Sequence, residues 1–182
     1  MVRDPDEVLV ERCRKGDRAA FTALVVRYQR PIYNAAFRIL GNPEDASDIT
    51  QLVLLKIAER LDDYDARYKF FSWIYRIAVN ESLNLLRREG REEPLGDGDE
   101  HPGLESADPE WQADRAQVSQ RIQKALMRMK GSDRAVITLR HFSECSYEEI
   151  GRILEIEVKT VKSRLFEARQ RLRDLLEDLR PA

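Results

Sequence analysis

The sequence predicts an all-α fold, two small helical domains joined by a flexible acidic linker, and three observations carry that expectation. Apolar residues recur three and four positions apart along most of the chain, which gathers them on one face of a helix. No stretch alternates apolar with polar residues for more than a few positions, so no half-buried strand is expected. Glycine and proline, 8 and 7 of 182 residues, are sparse and concentrate at breaks between the periodic runs.

The first domain is expected over residues 1–90. Val8, Leu9 and Cys13 open it, Ala20, Phe21, Leu24, Val25 and Tyr28 continue it, and Ile32, Tyr33, Ala36, Ile39 and Leu40 follow. Gly16-Asp17 and Gly41-Asn42-Pro43 are the breaks. Asp45 or the Asn42-Pro43 turn can start the next helix, which carries Ile49, Val53, Leu54, Ile57 and Leu61. A polar connection from Asp62 to Lys69 precedes a further run, Phe70 to Leu86. Residues 91–115 are rich in Gly, Pro and acids and read as the linker; such a segment is a solvated spacer or occupies a positively charged channel in a partner. The second domain, residues 116–182, opens on the stripe Val118, Ile122, Leu126 and Met129, breaks at Gly131-Ser132-Asp133 and resumes as a helix from Ala135 to His141.

Ser146 to Arg169 carries the clearest functional signal. Ser146 and Glu149 have capping-box spacing, which marks a helix start. Ile150, Ile153 and Leu154 form its apolar stripe, Gly151 leaves room for close approach, and Ile156 and Val158 cover a tight turn. Val161, Leu165 and Ala168 point a second helix inward, leaving Lys159, Lys162, Ser163, Arg164, Glu167 and Arg169 to solvent or a groove. That is the outline of a helix-turn-helix DNA reader. A basic amphipathic helix also serves simply as a solvated face. Lys159 and Lys162, however, fall where the helix dipole disfavours cations, so a phosphate partner explains them better than helix stability does.

Between Tyr64 and Arg76, aromatic rings alternate with cations. Single-stranded nucleic acid needs both: ring faces restore lost base stacking, about 1–3 kcal/mol per base, and Arg and Lys follow the phosphates. Core packing competes for the same rings, since Phe70, Ile74, Ile77 and Ala78 fit one buried face and at least half of the aromatics belong inside. Trp73, Arg76, Asn80, Asn84, Arg87 and Arg88 form a second, polar set at roughly helical spacing.

With 35% charged and 42% hydrophobic residues the chain is expected to fold, and its formal net charge of -2 gives no global attraction to nucleic acid. DNA binding must then come from local patches, which favours delivery by a larger partner. Cys13 and Cys145 are isolated and signal neither zinc nor a disulfide; His101 and His141 join no nucleophile or carboxylate, so no catalytic site, metal or cofactor is expected. The N-terminus lacks a signal-peptide core, and no apolar run approaches the ~20 residues of a membrane span, which points to the cytoplasm.

Taken in order, GDRAAFTALVVRYQRPIYNAAFRILGNPEDASDITQLVLLKI, FFSWIYRIAVNESLNLLRR, the acidic stretch and YEEIGRILEIEVKTVKSRLFEARQRLR resemble, nearly end to end, the bacterial sigma-70 family in its small extracytoplasmic-function group. The resemblance implies a non-enzymatic initiation factor that confers promoter specificity on core RNA polymerase. Asp45, Asp48, Ile49, Gln51 and Leu55 would dock on the clamp helices of the largest subunit, with the flap as a second contact. Arg67, Tyr68, Lys69, Trp73, Arg76, Asn80, Asn84, Arg87 and Arg88 would open and read the −10 element, with one non-template base flipped into a pocket. Lys159, Thr160, Lys162, Ser163, Arg164, Glu167 and Arg169 would meet the −35 element in the major groove. The linker would thread near the polymerase active-site cleft and RNA exit path, and an anti-sigma factor is an implied partner.

The chain departs from the family pattern in places. Ser47 and Leu52 stand where glutamates are common, so a phosphate on Ser47 or Thr50 would restore acidity. Glu155-Ile156-Glu157-Val158-Lys159 replaces the usual Gly-Ile-Pro-Val-Gly, putting a non-glycine into a left-handed turn at about 1 kcal/mol. Glu167 replaces a residue that is often basic and can accept a hydrogen bond from cytosine N4, and Asn84 replaces a common aspartate. A stand-alone helix-turn-helix regulator would explain the second domain but not the aromatic and basic cluster; a helical adaptor or enzyme subunit without DNA contact is the third reading.

Overall fold

The computed structural model of the chain describes residues 4–93 and 112–179. Most of the expected linker, residues 94–111 with His101, lies outside the described residues. Among the described residues there are eight α-helices and no strand: α1 Asp6–Arg14, α2 Arg18–Leu40, α3 Pro43–Arg60, α4 Phe70–Arg88, α5 Gln112–Met127, α6 Gly131–Ile137, α7 Tyr147–Leu154 and α8 Val158–Asp178. A 3-10 turn at Leu61–Asp63 follows α3, and a π-helical turn at Thr138–Phe142 extends α6. No described helix is long and apolar enough to cross a membrane.

The helix starts follow local chemistry. The Asp17 carboxylate accepts from the amides of Ala19 and Ala20 at the head of α2, and the Asn42 side chain accepts from Glu44 and Asp45 at the head of α3, where Pro43 fills a position that needs no donor. Gly41, at φ 76°, ends α2 in the left-handed conformation with its amide on the Phe37 carbonyl at 2.8 Å. Pro31 sits inside α2 without ending it, and the helix continues to its full 23 residues. Helices α1 to α4 bury Leu24, Ile32, Ile39, Val53, Ile57, Ile74 and Val79 between them, and Lys56 meets Glu81 at 2.5 Å across α3 and α4.

Two expectations in the second domain need correction. Gly131-Ser132-Asp133 is not a break: α6 starts at Gly131. A Cβ there would stand 2.8 Å from Leu86 Cδ1, so this glycine serves the close approach of α4 and not a turn. The α5 stripe is also buried only at its end, with Leu126 and Met129 inside, Ile122 half-buried and Val118 exposed.

One continuous core runs through both domains. Helix α2 ends with carbonyls that its own amides do not all reach, and the second domain adds donors to two of them: Ile39 O, and Phe37 O beside its cap from the Gly41 amide. Arg134 on α6 is fully buried; its guanidinium donates to Ile39 O at 2.7 Å and to Met129 O at 2.8 Å. Gln123 on α5 donates to Phe37 O at 3.1 Å. Burial, with the charge of Arg91 nearby, lowers the Arg134 pKa to about 10, so the cation remains, held by carbonyl dipoles. Arg134→Ala is expected to cost about 3 kcal/mol in urea unfolding of the full chain, from the cavity and the orphaned carbonyls together. Arg134→Met, which refills the space, should recover about half.

Candidate nucleic-acid interface

Helix α3 offers an outer edge of Asp48, Gln51 and Leu55, all exposed. Asp45 is partly covered and pairs with Arg91 at 2.6 Å, which ties residue 91 back onto the first domain. Ile49 is buried, so it packs beneath this edge and offers no docking surface. Thr50 is buried too, donating its hydroxyl to Ala46 O at 2.6 Å, which closes it to the modification raised from the sequence; Ser47 is half-buried.

Half of the aromatic rings are buried, as expected, but Tyr64 and Tyr75 join Phe70 inside while Ile77 is only half-buried. Tyr64, Phe70 and Tyr75 are buried, Phe71 and Trp73 half-buried, and Tyr68 exposed. Trp73 leans on Phe70 and Tyr64, with ring centroids 5.7 and 5.8 Å away. Its outer side borders a cleft of about 290 Å³ shared with Lys56, Arg60, Arg76 and Asn80. Arg67 folds onto Asp65 at 2.6 Å, Lys69 pairs with Glu149 at 2.7 Å, Arg76 pairs with Glu155, and Arg87 pairs with Glu92 at 3.2 Å. Arg88 is exposed.

Helix α7 begins on a complete capping box: Ser146 Oγ accepts from the Glu149 amide at 3.1 Å, and Glu149 Oε2 accepts from the Ser146 amide at 2.8 Å. Burial raises the Glu149 carboxyl, but hydrogen bonds from Lys69 and the Ser146 amide outweigh it and hold the group below the usual range. Glu155 ends the helix in the left-handed region, at φ 55° and ψ 42°, as the departure from glycine predicts. Gly151 is required by the turn itself, since a Cβ would lie 2.9 Å from Ile156 O.

Val161, Leu165 and Ala168 fix α8 against the core. Lys159, Thr160, Lys162, Ser163, Glu167 and Arg169 are exposed, and Arg164 is half-buried. The first turn of α8 holds no acid, although Glu157 stands just before it and Glu148 of α7 feels the charge of Lys162. Ser163 spends its hydroxyl on the carbonyls of Lys159 and Thr160. Arg169 turns to His141, donating to Nε2 at 3.1 Å; burial and the nearby Arg169 and Arg140 lower the His141 pKa, which suits a neutral acceptor. Sequence reading missed Phe166, 64% exposed in the middle of this face. The signal was present, because position 166 falls off the stripe set by Val161, Leu165 and Ala168. A ring there suits apolar contact with a thymine methyl.

The two expected surfaces meet. Asn80, Asn84 and Arg87 of α4 and Arg164 of α8 line one cleft of about 370 Å³ with Ser132, Leu154 and Glu155.

Ring-and-cation chemistry on one helical unit and a capped helix-turn-helix on the other define a helical transcription protein built to hold DNA. Residues 24–92 match the family model for Sigma-70 region 2, and residues 119–172 that for Sigma-70, region 4. The chain belongs to the sigma-70 family, in its extracytoplasmic-function group. It is 36% identical to the ECF RNA polymerase sigma-E factor of Escherichia coli, over 96% of this chain and 95% of that one. It is 31% identical to the RNA polymerase sigma-H factor of Pseudomonas aeruginosa, over 98% and 97%. Among solved structures, CnrH in complex with the cytosolic domain of CnrY superposes with a TM-score of 0.70 at 28% identity, covering 97% of this chain and all of that one. The sigma factor RpoE of Bartonella quintana, in complex with the anti-sigma factor NepR, gives 0.69 at 25% identity, covering 88% of this chain and 98% of that one.

Gly151→Ala should lower stability by about 2 kcal/mol, read in thermal melts, because the turn must shift to admit the methyl. The Glu149 carboxyl titrates lower in the folded chain than its ordinary 4.5, so its stabilisation is full above that pH and lost as pH falls through the depressed value. Urea midpoints should therefore fall on acidification below about 4.5, and less steeply in Glu149→Gln.

Proposed function

We propose that this chain is the promoter-reading subunit of RNA polymerase, a non-enzymatic sigma factor that joins core enzyme in the cytoplasm and directs initiation at chosen promoters. The observation that carries the reading is the presence, in one family-matched chain, of the α4 ring-and-cation surface and the α7–α8 helix-turn-helix. Neither a lone regulator nor an adaptor needs both.

In this reading Asp45, Asp48, Gln51 and Leu55 meet the clamp helices, while Ile49 supports them from below. The α4 surface opens the −10 element: Trp73 supplies a stacking platform, the cleft beside Arg76 and Asn80 receives an unstacked base, and Arg67, Tyr68, Lys69, Asn84, Arg87 and Arg88 follow the strand. Helix α8 enters the −35 major groove with Lys159, Thr160, Lys162 and Ser163 leading, Arg164 and Arg169 flanking, and Glu167 and Phe166 reading base edges. An anti-sigma factor is a partner, as it is for the Bartonella relative.

Run-off transcription with core polymerase on a promoter library tests this directly; no promoter-specific transcript would refute it. Trp73→Ala should reduce strand opening, seen by permanganate footprinting, by about 1–3 kcal/mol while −35 protection persists. Glu167→Arg should change base preference at a single −35 position by about 1–3 kcal/mol, and an identical selected consensus would exclude Glu167 from base reading.

A further inference from the structure

We propose that α1 is a brace for the −10 loop, with Arg14 and Tyr64 as positioning residues that fix residues 65–69 before a strand arrives. This rests on the assignment of Arg67, Tyr68, Lys69 and Trp73 to −10 DNA.

Helix α1 holds none of the residues expected at polymerase or DNA, yet polar side chains at both of its ends reach the ring cluster. Arg14, in its last turn, donates to the carbonyls of Leu61 and Tyr64 at 3.2 and 2.9 Å, the residues that open and follow the 3-10 turn. Asp6, at its start, accepts from the Tyr28 hydroxyl, and the Tyr28 ring meets Phe70 edge-on with centroids 5.7 Å apart. The brace therefore reaches both ends of the loop. Tyr64 before it and Phe70 after it are buried, while residues 66–69 between them are exposed.

Tyr64 carries the constraint into the loop. Its hydroxyl donates to Tyr68 O at 2.6 Å, across a turn that the Tyr68 amide closes on Asp65 O at 3.1 Å. Its ring lies edge-on to Phe70, with centroids 5.0 Å apart, and 5.8 Å from Trp73. One side chain thus shapes the loop that carries Arg67, Tyr68 and Lys69, and backs the indole on which a base would stack. The ring alone would fill this space; what the hydroxyl adds is the bond to the loop. An exposed loop already held in one shape gives up less conformational entropy when it binds.

The test uses the full chain bound to core polymerase, with Tyr64→Phe, which keeps the ring, and Arg14→Met, which keeps the stem and removes the donor. Anisotropy of a short single-stranded −10 DNA, drawn from the run-off selection, reports strand capture, and hydrogen exchange at the Tyr68 amide reports the loop. Affinity for a −35 duplex reports general damage. Expected in each variant is capture weaker by about two- to tenfold, the range for one net hydrogen bond, with faster exchange at Tyr68 and unchanged −35 affinity. The double variant should lose less than the product of the two single losses, because both act through one loop. Capture equal to wild type in both single variants overturns the proposal, as does an equal loss of −35 affinity, the mark of a merely structural role. Losses that multiply in the double variant overturn the linkage of Arg14 to Tyr64. A holoenzyme that captures no −10 strand, wild type and Trp73→Ala alike, refutes the −10 assignment instead.

Discussion

The guanidinium of Arg134 beneath the end of α2 is the contact on which the arrangement of the rest depends. A helix that ends in the interior leaves carbonyls with no partner, and α2 ends there because the Gly41 turn sends the chain directly into α3. The Gly41 amide caps Phe37 O, and the other half of the molecule adds further donors, Arg134 to Ile39 O and Gln123 to Phe37 O. These bonds give the junction direction as well as apolar contact. They also keep the junction modest, because a buried cation opposed only by dipoles returns little of its hydration energy.

Charge is distributed differently over the two surfaces proposed to meet DNA. On and just before α4, Arg67, Lys69, Arg76 and Arg87 each face an acid. On α8, Lys159 and Arg164 have no acid partner among the described residues. A near-neutral chain thus carries one surface that is electrostatically quiet and one that is not. Long-range attraction to duplex DNA would fall to the second.

Much of this was legible in the sequence, and the reasons are local. The capping box and the α8 stripe follow from neighbours within four residues, where spacing fixes geometry; Gly16-Asp17 and Asn42-Pro43 marked breaks that turn out to be helix caps, and the left-handed Glu155 followed from the family resemblance. The role of Gly131 was misread as a break because its reason is a leucine 45 positions away, Leu86. Ile49 was placed on the docking edge because family resemblance locates a helix but not which of its residues turn inward. The partnership of Glu149 with Lys69 spans 80 positions and has no signature in either segment. Charge pairing between domains depends on docking, which no periodicity encodes.

Glu149 divides its two oxygens between tasks: Oε2 holds the first turn of α7, and Oε1 holds Lys69. Loss of the second bond leaves the first intact. One carboxylate therefore serves the start of α7 and the contact between the halves at once.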